Sequence, residues 1–264
     1  MGESLVDDTN HINFNPARTA VSSTYEYLGG SPLPSYIHGV STLSEANLIS
    51  ISQPTEYTGC STAEELVAWV ARVSNPSNQN NTATGPKLVK YLVRENHWSP
   101  LEMVSLSIEI KTTRDIARQM LRHRSFSFQE YSQRYADPTK DLGYILREAR
   151  LQDKKNRQNS VKLSPDENRL ADEWDVVQKS VINAADFAYK WATDRGIAKE
   201  QARAVLPEGC TKSTIIMAGT LRSWIHYCQL RRSNGTQLEH MIVADQCWDI
   251  IKQRFPGIEE ALGA

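Results

Sequence analysis

Long hydrophobic runs are missing from this chain of 264 residues: none approaches the ~20 apolar residues of a membrane-crossing helix. The first eight residues, Met1 to Asp8, lack the basic start and apolar stretch of a secretion signal. A soluble, cytoplasmic protein is therefore expected, with no membrane partner. Cysteine is scarce too. Cys60, Cys210, Cys228 and Cys247 form no Cys-x-x-Cys pair, which leaves zinc and dithiol chemistry without support; reduced, buried thiols and no metal are expected. Charge of one sign is also lacking. Thirty Lys and Arg against 31 Asp and Glu give a net of −1, which argues against a polybasic coat for nucleic acid or membrane. Finally, the chain has no Gly-x-Gly-x-x-Gly turn, no P-loop and no Gly-x-Ser-x-Gly elbow, so dinucleotide-fold, nucleotidase-type and serine-hydrolase readings have no fingerprint.

What is present is ordinary material for a folded core, with 40% hydrophobic and 23% charged residues. Residues 1–46 read as an irregular arm, with Pro16, Pro32, Pro34, Gly29 and Gly30, and five acids against the single base Arg18. Residues 47–264 read as one domain. Leu48–Ile51 is a predicted strand. Ser61-Thr62-Ala63-Glu64 is a capping-box signature before a helix with a stripe of Leu66, Trp69, Val70 and Val73. Residues 87–95 read as helix. Val104, Leu106, Ile108 and Ile110 alternate with polar residues as a half-buried strand. Residues 115–123 form a helix with Ile116 and Met120 inward. Ser164-Pro165-Asp166-Glu167 opens the longest helix, whose stripe runs through Leu170, Trp174, Val177, Val181, Ala184, Ala188 and Trp191 and stops at Gly196. A short helix carries Arg203, residues 213–217 form a strand, and helices at about 220–231 and 236–254 follow. With no regular βαβ repeat, the fold class is α+β, a mixed helix and sheet protomer with a long central helix.

Chemistry concentrates between residues 111 and 150, where nine Lys and Arg face five Asp and Glu in a chain that is otherwise acidic. Within it, Arg122, Arg124 and Arg134 repel one another unless an anion satisfies them, and the planar arginine fork matches phosphate oxygens. Glu130 among them can orient the guanidiniums or accept from a ribose or ring N–H. Cys228 has no activating neighbour in a recognisable motif and reads as a small buried residue.

The order Arg122-His123-Arg124, seven residues, Ser132, one residue, Arg134 resembles the signature of the flavin-dependent thymidylate synthases. Further blocks resemble that family in the right order: Ala71 to Ser74, His97 to Glu102, Ala117 to Gln119, Gln201 to Pro207, Leu221 to Ser223 and Leu230-Arg231. The resemblance runs from about Leu48 to the end.

It implies a reaction. Methylenetetrahydrofolate supplies one carbon to C5 of dUMP, reduced FAD supplies the hydride, NADPH recharges the flavin, and a homotetramer shares its active sites between chains. By matched position it implies a flavin group of Ser74, His97, Ser99, Arg122, His123, Arg124, Glu130, Thr220, Arg222 and His226. The implied dUMP group is Gln119, Arg122, Glu130, Ser132, Gln133, Arg134, Arg203 and Arg231. Arg231 matches the residue that faces the uracil ring, where a fixed guanidinium activates C5 electrostatically. Ser132 has no visible base and is assigned to binding. Departures at Thr220, His226 and Gly235 weaken the match over 220–235. Two other classes stand beside this one: a single-stranded nucleic-acid binder stacking bases on Phe126, Phe128, Tyr131 and Tyr135, and a non-catalytic relative acting as a scaffold.

Overall fold

Alternating side chains build the centre of the molecule. The computed structural model describes residues 36–37, 44–81 and 83–262. In chain order its strands and longer helices are β1 (Tyr36–Ile37), β2 (Glu45–Ile51), α1 (Ala63–Ala71), α2 (Gly85–Arg94), β3 (Ser105–Thr113), α3 (Arg114–Met120), β4 (Phe126–Glu130), β5 (Tyr144–Ile145), β6 (Arg150–Gln152), β7 (Ser160–Lys162), α4 (Asn168–Asp194), β8 (Lys212–Thr220), α5 (Leu221–Arg231), α6 (Leu238–Arg254) and α7 (Pro256–Leu262). The arm expected over residues 1–46 lies outside the described residues except for β1 and residues 44–46, and β2 begins at Glu45 rather than at Leu48.

The main sheet is antiparallel in the order β2-β3-β8-β4. On β3, Leu106, Ile108 and Ile110 face one side and are fully buried. Ile108 pairs with Met217 and Ile110 with Ile215 across the ladder, so the large side chains stack as direct cross-strand neighbours. Helices α1, α2, α5, α6 and α7 add Val67, Val89, Trp224, Val243, Trp248 and Ile258 to the same core. Trp224 donates its indole N–H to the carbonyl of Leu106 at 3.2 Å, which removes the cost of burying that donor. Gly219 lies opposite Phe126, and a Cβ there would sit 2.5 Å from the Phe126 ring. Glycine therefore lets that ring lie flat on β8.

Two predicted stripes point elsewhere. In α1 the buried positions are Ala63, Glu64, Val67 and Ala68, while Val73 is exposed. The reason is Glu64, whose carboxylate accepts from the backbone N–H of Gly257 at 2.7 Å and turns that face inward. In α4 the capping box at Ser164 and Glu167 and the left-handed Gly196 stop stand where the sequence places them. The inward face, however, is Gln178, Ile182, Ala185, Asp186, Tyr189 and Ala192, packed over Tyr144, Leu146, Ala202 and Leu206. Leu170, Trp174, Val177, Val181 and Trp191 are exposed. This helix is apolar on two faces, and only one is covered among the described residues.

Candidate active site

The strand ends deliver the site. Helix α5 starts directly after β8, with Thr220 as its N-cap accepting from the N–H of Ser223 at 3.3 Å. Steps of four and three put Arg222, His226 and Gln229 on one exposed face of α5. They line a cleft of ≈ 450 Å³ with Trp98, Glu102, Ser125 and Ser223. Arg222 forms an ion pair with Glu102 across it. Three predicted residues, Thr220, Arg222 and His226, thus lie in or beside one cleft. His226 is exposed and lines it.

Arg231 ends α5. Its Nε–H donates to Nε2 of His123 at 2.9 Å. That bond requires an unprotonated Nε2. The imidazole is pushed down to about 4, by burial first and then by the cations Arg231, His226 and Arg122. His123 also meets the edge of Tyr227 at a ring distance of 4.9 Å. A neutral histidine thus accepts from the guanidinium and holds it in place.

The 130–134 turn carries a second cluster. Glu130 accepts from the Ser213 hydroxyl at 2.9 Å and pairs with buried Arg114 at 3.3 Å. Gln133 is buried, and its side-chain nitrogen has no hydrogen-bond partner among the described residues. A buried, unused donor is costly, so this nitrogen suits an acceptor beyond the described residues. Ser132 accepts from the Arg134 N–H at 3.3 Å, a turn-stabilising role. Arg134 makes only an exposed pair with Glu200 at 3.6 Å. Arg122, Arg124 and Arg203 make no ion pair among the described residues, so their charge is available to an anion.

Gln119 is held from both sides. Its oxygen lies 3.1 Å from Nδ1 of His240, and its amide nitrogen donates to Gln237 at 2.8 Å. Sequence reasoning missed His240, Glu239, Arg114 and Arg147. The available signal was a Gln-x-Glu-His run, Gln237 to His240, opening the predicted helix at 236–254. Ser74 bonds the carbonyl of Ala71 at 3.0 Å, His97 meets the edge of Tyr91 at 6.0 Å, and Ser99 starts a short turn of helix. None of these three lines the cleft, although Trp98 between them does. Cys228 is fully buried, and burial pushes its thiol well up, so it is no nucleophile.

The nucleic-acid platform is not there. Phe126 and Phe128 pack against the core, and the Tyr131 hydroxyl donates to Asp141 at 2.6 Å. Only Tyr135 of the four aromatics is exposed, at 81%.

Comparison with known proteins identifies the family. The family model described as thymidylate synthase complementing protein matches residues 55–257. A probable flavin-dependent thymidylate synthase of Paramecium bursaria Chlorella virus 1 is 48% identical over 217 residues, which is 82% of this chain and 98% of the relative. The flavin-dependent thymidylate synthase of Synechocystis sp. is 44% identical over 200 residues, 75% of this chain and 89% of the relative. Among solved structures, the UMP/dUMP methylase PolB from Streptomyces cacaoi, bound with 5-Br UMP, superimposes with a TM-score of 0.69 at 25% identity, covering 87% of this chain and 96% of that one. By motif order, sheet topology and these matches, the chain belongs to the family of flavin-dependent thymidylate synthases.

Proposed function

We propose that the chain methylates dUMP reductively to dTMP, with methylenetetrahydrofolate as one-carbon donor, FAD as hydride carrier and NADPH as reductant. The observation that supports this most is the Arg231–His123 pair, a guanidinium seated by a neutral imidazole. A fixed cation beside a pyrimidine favours the electron-rich ring that attacks the one-carbon unit through C5, and it needs no reorganisation during the step. Arg134, Arg203 and the unpartnered nitrogen of Gln133 suit a phosphate and ribose. Cys228 is fully buried with its thiol pushed well up, and no cysteine lines the cleft among the described residues, which favours activation by charge over a covalent cysteine adduct.

The residues present fit FAD. The cleft offers an indole, an imidazole, a guanidinium and an amide at Trp98, His226, Arg222 and Gln229, donors and flat surfaces that suit a polar heteroaromatic ring. Arg122 and Arg124 would hold its pyrophosphate. When bound, FAD supplies the hydride; the chain's own part is to bind, orient and polarise.

The exposed apolar stripe of α4 favours self-association, because five large side chains exposed on one helix face ask for a partner, and the homotetramer that the resemblance implies would supply one. Two observations on the purified full chain test the reading: a flavin band in the visible spectrum, and dTMP formed from dUMP only when methylenetetrahydrofolate and NADPH are both present. A colourless protein that forms no dTMP with added FAD would refute it.

A further inference from the structure

Five buried or half-buried side chains form one continuous hydrogen-bonded chain. Glu239 Oε2 lies 3.0 Å from Gln237 Nε2, Gln237 Oε1 lies 2.8 Å from Gln119 Nε2, Gln119 Oε1 lies 3.1 Å from His240 Nδ1, and His240 Nε2 lies 3.1 Å from the Tyr227 hydroxyl. Glu239, His240 and Tyr227 are fully buried.

The direction of every bond follows from one end. Glu239 is paired with Arg150 at 2.5 Å and Arg147 at 3.6 Å. Burial pushes its carboxyl up, but the two guanidiniums and the hydrogen bonds outweigh that and hold it below the usual carboxylate range. An ionised carboxylate only accepts. Gln237 must therefore donate to it, which turns the Gln237 oxygen toward Gln119. Gln119 must then give its N–H to Gln237 and its oxygen to His240. His240 must carry its proton on Nδ1, and Nε2 must accept from Tyr227. Reversing any amide would set two donors or two acceptors face to face in a buried site. The groups facing His240 and Gln119 are Tyr227, Gln237, Arg231 and His123, and none supplies a competing carboxylate.

We propose that Glu239, acting through Gln237, fixes the tautomer of His240 and the orientation of the Gln119 carboxamide, so that Gln119 meets the nucleotide as an unambiguous donor and acceptor. Glu239, Gln237 and His240 are then positioning residues. The consequence for binding rests on the reading above, that Gln119 faces dUMP. A carboxamide free to flip matches either donor–acceptor order, as a uracil-type or a cytosine-type edge; a fixed one matches a single order.

The test uses the full chain with ¹⁵N-labelled histidine. Proton–nitrogen correlation spectra report which ring nitrogen of His240 is protonated, first in wild type and then in Gln237→Met, which keeps the length and removes the link. Wild type is expected to be protonated on Nδ1 alone, and Gln237→Met to show mixed tautomers. Calorimetric titration should show dUMP binding about three- to tenfold weaker in the variant, with the preference for dUMP over dCMP reduced. Protonation of wild-type His240 on Nε2 would overturn the proposed polarity, and that measurement needs no variant to fold. Unchanged dUMP affinity and selectivity in Gln237→Met, despite mixed tautomers, would overturn the positioning role. Failure of the functional reading itself would be seen separately, as no dUMP binding by wild type.

Discussion

Arg231 donates its Nε–H to His123 Nε2 at 2.9 Å, which ties the last turn of α5 to the segment that follows α3. The contact aims the guanidinium, while burial first and then the nearby cations keep the imidazole neutral.

The first prediction concerns pH. Burial and nearby cations lower His123 to about 4, and burial with Arg231 and His123 lowers His240 to about 3, against 6.5 for a free imidazole. Both are depressed in the folded state, so below pH 6.5 the unfolded chain binds protons that the folded chain refuses. Their contribution is complete above pH 6.5 and is lost as pH falls from 6.5 through about 4 for His123 and about 3 for His240. The expected slope is on the order of 1 kcal/mol per pH unit near the lower end. Urea midpoints at pH 7 and pH 5 check it; equal midpoints would contradict it.

Removing the seat should hurt turnover more than binding. In His123→Ala, Arg231 keeps its charge and loses its fixed direction. Turnover is expected to fall about tenfold, the worth of one charge-assisted bond, with dUMP affinity changed less than twofold. A variant that turns over normally would show that Arg231 is aimed by other contacts.

Arg124 is exposed and makes no ion pair among the described residues. Arg124→Ala should lose flavin before it loses fold, with FAD retention down roughly tenfold or more. Flavin absorbance per chain after gel filtration measures this, and normal retention would remove Arg124 from the flavin group.

Cys228→Ala should keep its activity. The thiol is wholly enclosed and touches no part of the cleft, so the change costs about 1 kcal/mol of stability and no chemistry. Loss of turnover in a folded Cys228→Ala protein would reopen a covalent route.

The stripe on α4 makes assembly testable. Val177→Glu with Val181→Lys replaces two exposed apolar side chains, 44% and 50% accessible, with a favourable i,i+4 pair. The helix should persist while the protein elutes at a smaller size. Unchanged elution would place the interface elsewhere.

Local rules made most elements legible. The alternation through Leu106, Ile108 and Ile110 marks β3, and the Ser164–Glu167 box marks the start of α4. What they could not supply was which of two apolar faces packs inward. Periodicity identifies a stripe, yet the neighbour that covers it comes from residues far along the chain, as Tyr144 and Leu206 do for α4. The site shows the same division. The Arg-His-Arg and Ser-x-Arg spacing is local and could be read directly. The partners Arg114 and Ser213 for Glu130, His240 for Gln119 and Arg231 for His123 are joined only by sheet register and helix packing. A lone His240 in a helix carries no local sign that it faces Gln119, 121 residues earlier.

Arg231 is proposed to act on the pyrimidine in the transition state more than in the bound state. In the proposed site the phosphate is assigned Arg134 and Arg203, so affinity is shared, while the ring is assigned one cation. The direct measurement is the rate of flavin oxidation at saturating dUMP and methylenetetrahydrofolate in Arg231→Lys, with dUMP affinity determined separately. Lysine keeps the charge but loses the planar contact and the Nε–H given to His123. The expected result is a rate lowered at least about tenfold with dUMP affinity within about threefold of wild type. Collapsed dUMP binding with a saturated rate near wild type would contradict it and make Arg231 a binding residue only.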